Sequence, residues 1–347
     1  MLRLLLCSAA AVTVCSTGSL YTEREVVVPA PQRPQDATNC QDVAEGDDCR
    51  FWAGADGRGC MSSPGHMSLQ CPRTCEYCHL RSAKTRCDPL QNDNVAMQPG
   101  GLEAMFARLI ATPAQVVQAD GSLAPSEDEF IFDGRYTVHL LSRAPWIVAI
   151  DDVLSEAEAD ALIDIAHETG FTGSTTTGEV DETGTINRQR DASRTSMQAW
   201  CQGRCDSEPL VEALYSRIAH ITTVPPDNYE HLQLLKYETG QKYSTHHDLL
   251  GLDPVVSACG PRILTFFLYL SDVEEGGETN FPTLDMAVVP KKGRAVLWPN
   301  VQDSDLETQE PGTMHEARPV LRGRKFAANS WIHLKDYRFV NLWACSG

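Results

Sequence analysis

This sequence predicts a mainly β fold with supporting α-helices, a jelly roll, preceded by a small disulfide-rich module. Three observations carry that expectation. Short apolar runs of strand length recur from residue 232 onward, separated by turns rich in Gly, Pro and Asp. Helical periodicity lies mostly upstream of them. Six cysteines crowd into residues 40–78, a stretch too short to bury a core without covalent staples.

Taken in order, Arg3, the apolar run Leu4 to Val14 and the small residues up to Ser19 read as a secretory signal over residues 1–19. The run is too short to span a bilayer as a helix; an uncleaved anchor is the alternative. The chain ends Ala344-Cys345-Ser346-Gly347, without a Lys-Asp-Glu-Leu-type tail. Thirteen cysteines suit an oxidising compartment. Removing Cys7 and Cys15 with the signal leaves an odd number, which requires one thiol without an internal partner. The net charge of −18 argues against a nucleic-acid partner, because phosphate repels such a surface.

Residues 40–78 form the first folded unit. Cys75-Glu76-Tyr77-Cys78 is a Cys-x-x-Cys, but no second such pair lies at zinc-finger spacing, so disulfides are the expected staples. Residues 79–135 read as a linker. Asn92, Asn94, Pro99, Gly100 and Gly101 interrupt any long element, Asp120 to Glu129 is polar and acidic, and one short helix is expected from Leu102 to Ile110. The large domain is expected over residues 136–347. It opens with a strand at Trp146 to Ile150 and a helix from Glu156 to about Glu168, capped by Asp152 or Ser155. Strands are expected at Leu232 to Tyr237, Ile263 to Leu270, Ala287 to Val289, Ala295 to Trp298 and Phe326 to His333. Cys201 and Cys205 suit a local bridge; Cys259 and Cys345 are expected to pair across the domain, leaving Cys87 over.

The chemistry-bearing residues are His246-His247-Asp248, joined at a distance by His315. His246 and Asp248 on one strand would share a face, while His247 would point away. Two neutral imidazoles and one carboxylate suit Fe(II) and leave open positions for a co-substrate and oxygen.

Three further stretches lift this pattern above chance. Tyr237-Glu238-Thr239-Gly240-Gln241-Lys242-Tyr243 precedes His246, Gly276-Gly277-Glu278-Thr279-Asn280-Phe281-Pro282 lies between the ligands, and Lys325 follows His315 by ten residues. With Ser193-Arg194-Thr195-Ser196, these residues resemble the prolyl 4-hydroxylase family of 2-oxoglutarate dioxygenases, over roughly Ser142 to His333. The resemblance implies a double-stranded β-helix (jelly roll). It implies hydroxylation of peptidyl proline to 4-hydroxyproline, coupled to decarboxylation of 2-oxoglutarate to succinate. Fe(II), 2-oxoglutarate, O2 and ascorbate are the implied cofactors and co-substrates. His246, Asp248 and His315 would be the catalytic metal ligands. Lys325 would anchor the distal carboxylate of 2-oxoglutarate, with Tyr237 and Thr279 lining its pocket. Tyr243, Arg262, Trp331 and His333 would contact the peptide. Proline-rich or collagen-like polypeptides are the implied partners, and the endoplasmic reticulum lumen the implied location, or its membrane if the anchor stays. A lysine or small-molecule substrate, or an inactive secreted binding protein, are the competing readings.

The spacing at Cys71 to Cys78 resembles the ShK-type (ShKT) toxin-like module. That resemblance implies the bridges Cys40–Cys78, Cys49–Cys71 and Cys60–Cys75. Met61 to Gln70 lacks the Lys-Tyr pair of channel-blocking members, so a spacer or protein-binding role is expected instead. The acidic stretch Val301 to Thr313 departs from the family pattern and is expected to cap the site or select basic peptides.

Overall fold

The computed structural model describes residues 40–45, 47–90, 94–118, 121–251 and 257–346. The expected signal over residues 1–19 lies outside them. Among the described residues no helix is long and apolar enough to cross a membrane.

The N-terminal unit consists of three short helices, α1 (Asp48–Ala53), α2 (Arg58–Ser62) and α3 (Pro64–Gln70). Its bridges are Cys40–Cys78, Cys49–Cys71 and Cys60–Cys75. The sulfurs are themselves much of the core, with Met67 and Ala53 packed among them. Helices α4 (Ala83–Cys87) and α5 (Gly101–Leu109) follow.

Strands β1 (Pro113–Val117), β2 (Leu123–Phe132), β3 (Tyr136–Arg143) and β4 (Trp146–Ile150) run as an antiparallel meander into helix α6 (Glu156–Thr169). Ser155 accepts from Glu158 N, and the Glu158 side chain reaches back to Ser155 N, a capping box worth about 1 kcal/mol. Short strands β5 (Thr172–Gly173), β6 (Thr176–Val180), β7 (Ile186–Gln189) and β8 (Met197–Trp200) lead to helix α7 (Pro209–Thr222). The remaining strands are β9 (Gln233–Tyr237), β10 (Tyr243–His246), β11 (Arg262–Tyr269), β12 (Glu275–Gly276), β13 (Thr279–Phe281), β14 (Met286–Val288), β15 (Ala295–Pro299), β16 (Val301–Gln302), β17 (Asp305–Gln309), β18 (His315–Ala317), β19 (Val320–Arg322) and β20 (Lys325–His333), before helix α8 (Tyr337–Leu342).

These strands build a ten-stranded sheet, ordered β1-β2-β3-β4-β15-β11-β20-β9-β8-β5, facing a four-stranded sheet, β10-β18-β13-β14. Alternation divides the large sheet cleanly. Leu264, Phe266, Leu268, Leu297 and Ile332 pack outward against α5, α6 and α7. Phe267, Tyr269, Val296, Trp298, Leu235 and Tyr237 point inward, against Phe281 and Val288 of the small sheet. The site lies between the sheets, so the expected jelly roll with supporting helices is the observed arrangement.

Two expectations are corrected. Residues 79–135 are not a linker. β1 and β2 edge the main sheet, and Leu102, Met105, Phe106 and Leu109 of α5 enter the main core. The acids of β2 face outward and mask an alternation that buries Phe130 and Phe132. The expected Cys259–Cys345 bridge is also wrong: Cys87 pairs with Cys345, and Cys259 is the one free thiol, buried, among the described residues. Helix α4 brings Cys87 onto α8, in a cluster of Leu80, Ala83, Tyr337, Val340 and Trp343 that sequence distance concealed. The expected local bridge Cys201–Cys205 is present.

Candidate active site

His246 closes β10 and His315 opens β18, and the two are Cα partners across the small sheet. Asp248 sits just past the end of β10 rather than on it, yet it turns back to the same point. One ligand atom from each of the three residues lies within 4.8 Å of the others. Each Asp248 oxygen is 3.6 Å from one imidazole: Oδ1 from His246 Nε2 and Oδ2 from His315 Nε2.

Backbone carbonyls orient the rings. His246 Nδ1 lies 2.9 Å from Ser244 O and His315 Nδ1 lies 3.0 Å from Thr313 O. Both Nδ1 atoms therefore carry the proton, and both Nε2 lone pairs face Asp248. Burial, reinforced by His246, pushes the His315 imidazole down to about 4 and keeps it neutral. Two neutral nitrogens and one carboxylate oxygen, convergent and buried, fit Fe(II). His247, one residue past the end of β10, is turned away from the triad by its own hydrogen bonds. Its Nε2 donates to Glu310 O at 3.0 Å, and its Nδ1 accepts from Leu249 N at 2.9 Å.

A cleft opens beside the triad, lined by Leu235, Tyr237, Tyr243, Asp248, Phe267, Thr279, Trp298, Glu316, Ala317 and Asn329, with both histidines. Tyr237 and Thr279 are therefore in the pocket. Tyr269 Oη lies 2.7 Å from Thr279 Oγ1 and 3.1 Å from Val288 O, which fixes the threonine hydroxyl at the pocket wall. Lys325 is fully buried on the inward face of β20. Its Nζ donates to Gly277 O at 2.7 Å and lies 5.2–5.4 Å from the ring centroids of Tyr237, Phe267 and Tyr269. Gly276 and Gly277 both hold positive φ, and a Cβ on Gly276 would lie 2.3 Å from Pro319 O. That turn sets the Gly277 carbonyl on the lysine. No carboxylate is in ion-pair contact with Lys325 among the described residues, and burial lowers it to about 7. A buried cation without a counter-ion suits a dianionic co-substrate whose far carboxylate completes the pair.

The four expected peptide-contacting residues divide. Tyr243 lines the cleft and stacks on His246 with centroids 3.6 Å apart. Arg262, Trp331 and His333 lie behind it. Arg262 Nε is 2.5 Å from Glu230 Oε1 and its guanidinium covers Trp331 at 3.9 Å. His333 Nε2 is 2.9 Å from the same Glu230 oxygen, and its Nδ1 lies 2.8 Å from Gly260 O. Burial would raise Glu230, but Arg262 and His333 pull it down to about 2. Trp331 Nε1 is buried without a partner among the described residues.

The acidic segment 301–313 is tied to the fold at both ends, by Asp303 on α5 and by Glu310 and Thr313 on His247 and His315. β16 and β17 form a hairpin whose Asp303 accepts from Leu102 N and Glu103 N at the start of α5, a use of the acid that its charge alone did not reveal. Sequence reasoning also missed Thr265, a buried hydroxyl donating to Asp248 Oδ2 at 2.7 Å, itself held by Asn300 Nδ2 at 2.9 Å. Its signal was a lone polar residue on the inward face of an otherwise apolar strand.

The chain is similar in sequence to known oxygenases. Residues 232–333 match the family model described as the 2OG-Fe(II) oxygenase superfamily. The chain is 31% identical over 248 residues to the probable prolyl 4-hydroxylase 8 of Arabidopsis thaliana, covering 66% of this chain and 81% of that protein. It is 33% identical over 221 residues to the prolyl 4-hydroxylase subunit alpha-1 of Rattus norvegicus, covering 62% of this chain and 38% of that one. Among solved structures, a viral collagen prolyl hydroxylase from Paramecium Bursaria Chlorella virus-1, in its 2-oxoglutarate complex, aligns with TM-score 0.44 and 27% identity over 56% of this chain and 98% of that chain.

Proposed function

The chain belongs to the prolyl 4-hydroxylase family of 2-oxoglutarate–Fe(II) oxygenases, and from that premise we propose that it converts peptidyl proline to 4-hydroxyproline in polypeptides of the secretory pathway. The reaction is coupled to oxidative decarboxylation of 2-oxoglutarate to succinate and CO2. The observation that carries the reading is the pairing of the convergent His246, Asp248 and His315 with a buried Lys325 that has no ion-pair partner among the described residues.

His246 Nε2, an Asp248 carboxylate oxygen and His315 Nε2 would hold the iron. Bound iron supplies oxygen activation and the redox chemistry. The chain's own residues bind, orient and keep water out. Lys325 holds the distal carboxylate of 2-oxoglutarate, with Thr279 and Tyr237 beside it. Phe267 and Trp298 wall that end with apolar surface, which strengthens the ion pair. Tyr243, with His246 and Arg194 against its ring, offers its edge and hydroxyl to a bound proline at the mouth of the cleft. Arg262, Trp331 and His333 back this wall from inside, buried around Glu230, rather than facing the peptide. Proline-rich peptides are pre-extended and leave their carbonyls free, so docking them costs little conformational entropy.

The five disulfides of the described residues suit the endoplasmic reticulum lumen. The ShKT-like unit would serve protein binding, and ascorbate would maintain the iron between turnovers. The test is mass spectrometry of proline-rich, collagen-like and proline-free lysine peptides incubated with enzyme, iron, 2-oxoglutarate and ascorbate. A gain of one oxygen at position 4 of proline supports the assignment. Modified lysine with untouched proline overturns it.

A further inference from the structure

The hairpin of β6 and β7 is fastened at both ends. At its base, Arg194 Nη1 donates to Thr175 O at 3.2 Å, and the Arg194 guanidinium lies 4.5 Å from the Tyr243 ring centroid. Ser244 N donates to Ser193 O at 2.7 Å, and Arg194 bridges to Tyr243. The hairpin therefore rises from the wall of the pocket, next to the strand that carries His246.

Its tip is held from outside the jelly roll. Ala83 N donates to Glu182 O at 3.1 Å, and Arg86 Nη2 donates to Thr183 O at 2.7 Å. Val180 packs on the apolar cluster that contains Leu80, Ala83, Cys87 and Trp343. The anchor is stiff. Arg86 is 2% exposed and also donates to Leu80 O, Trp343 O and Ala344 O, while the next residue is bridged to Cys345. The hairpin, by contrast, is a separate two-stranded sheet with largely exposed or half-buried strands. Two strands alone are marginal in water. The tip contacts therefore decide where this hairpin stands.

We propose that residues 80–87 are a positioning element for the peptide site, holding the β6–β7 hairpin as a fixed wall beside Tyr243, with Arg86 as the principal positioning residue. This rests on the peptide-hydroxylase reading. A loosened hairpin would have to be ordered by the peptide, so peptide affinity falls. The 2-oxoglutarate pocket, built on β20, β9 and β13, does not feel the change.

The test uses the full chain and two mild variants. Val180→Ser weakens the apolar contact. Ala83→Pro removes the donor to Glu182 O, and proline is compatible with the first residue of α4 after Ser82 at φ −69°, ψ 130°. Hydrogen exchange over residues 176–189 and steady-state kinetics are measured for each. We expect faster hairpin exchange, restored by bound peptide. We also expect a peptide KM raised about three- to tenfold, the scale of ordering one or two side chains, and an unchanged 2-oxoglutarate KM. Unchanged hairpin exchange overturns the proposal, as does faster exchange with an unchanged peptide KM. An equal rise in both KM values marks general destabilisation and overturns it too. Absence of proline hydroxylation by the unmodified enzyme sinks the substrate reading instead, and the exchange data then still decide the anchor.

Discussion

Thr265 donates its hydroxyl to Asp248 Oδ2 across 2.7 Å, from the middle of β11 to a carboxylate that lies beyond the end of β10. This bond fixes one oxygen of the only anionic member of the triad, while Asn300 fixes the hydroxyl in turn. Thr265→Val keeps the shape and removes the donor. We expect Fe(II) affinity to fall about 10- to 100-fold, the usual cost of losing a partner behind a metal ligand, with the 2-oxoglutarate KM unchanged at saturating iron. Anaerobic titration with Fe(II) measures it; an unaltered affinity would show that Asp248 is oriented by other contacts.

The triad itself makes a sharper contrast. Alanine at His246, Asp248 or His315 should abolish peptide-dependent succinate formation and metal binding. His247→Ala should retain metal, because both of its ring nitrogens are engaged with Glu310 and Leu249. Metal loss in His247→Ala as severe as in His246→Ala would mean that the histidine roles are reversed.

Lys325→Ala should raise the 2-oxoglutarate KM tenfold or more, from a lost charge-assisted bond worth about 1.5–3 kcal/mol, and leave the peptide KM nearly unchanged. A small effect on 2-oxoglutarate would place the anchor elsewhere.

The same lysine predicts a pH dependence of stability. Burial lowers its folded pKa to about 7, against roughly 10.4 when unfolded. Below about 7 both states hold the proton, and the cost of burying the charge is present in full. Between those values the folded state has shed the proton and the unfolded state keeps it, so this group's contribution to stability rises with pH. Lys325→Met removes the cost. Its Tm advantage over the unsubstituted protein, measured without 2-oxoglutarate, should be larger at pH 6 than at pH 9. An advantage independent of pH would show that the lysine is not depressed.

Truncation should discriminate between parts of the N-terminal region. A chain starting at residue 79 keeps every strand and the Cys87–Cys345 bridge, and should fold with a cooperative melting transition. A chain starting at residue 131 loses β1, most of β2 and the α5 face of the core, and should be insoluble or molten by near-ultraviolet circular dichroism. Native-like melting of the shorter chain would return this region to linker status.

What the sequence made legible follows from locality. Strands such as β9, β11, β15 and β20 were visible because alternation and turn residues are short-range signals, and the His-x-Asp, Gly-Gly and Lys325 stretches carry their chemistry within a few residues. Less visible was anything decided by long-range packing. Cys87 finds Cys345 because α4 docks on α8, and Asp303 finds the start of α5 from about two hundred residues away. Arg262 and His333 share Glu230, a residue with no motif around it. The acids of β2 were read as linker because exposed charge outweighed the two buried phenylalanines at its end.

The Cys87–Cys345 bridge closes 258 residues of sequence separation into one covalent ring. Nearly the whole oxygenase lies inside that ring, and the disulfide-rich unit lies outside it. Tension applied through the two flanks of the ring passes through sulfur and bypasses β1 to β20. A pulling experiment on the oxidised protein would therefore extend the flanking segments while the active site stayed unloaded. Only after reduction would the barrel enter the line of force and add its contour length, about 3.4 Å for each released residue.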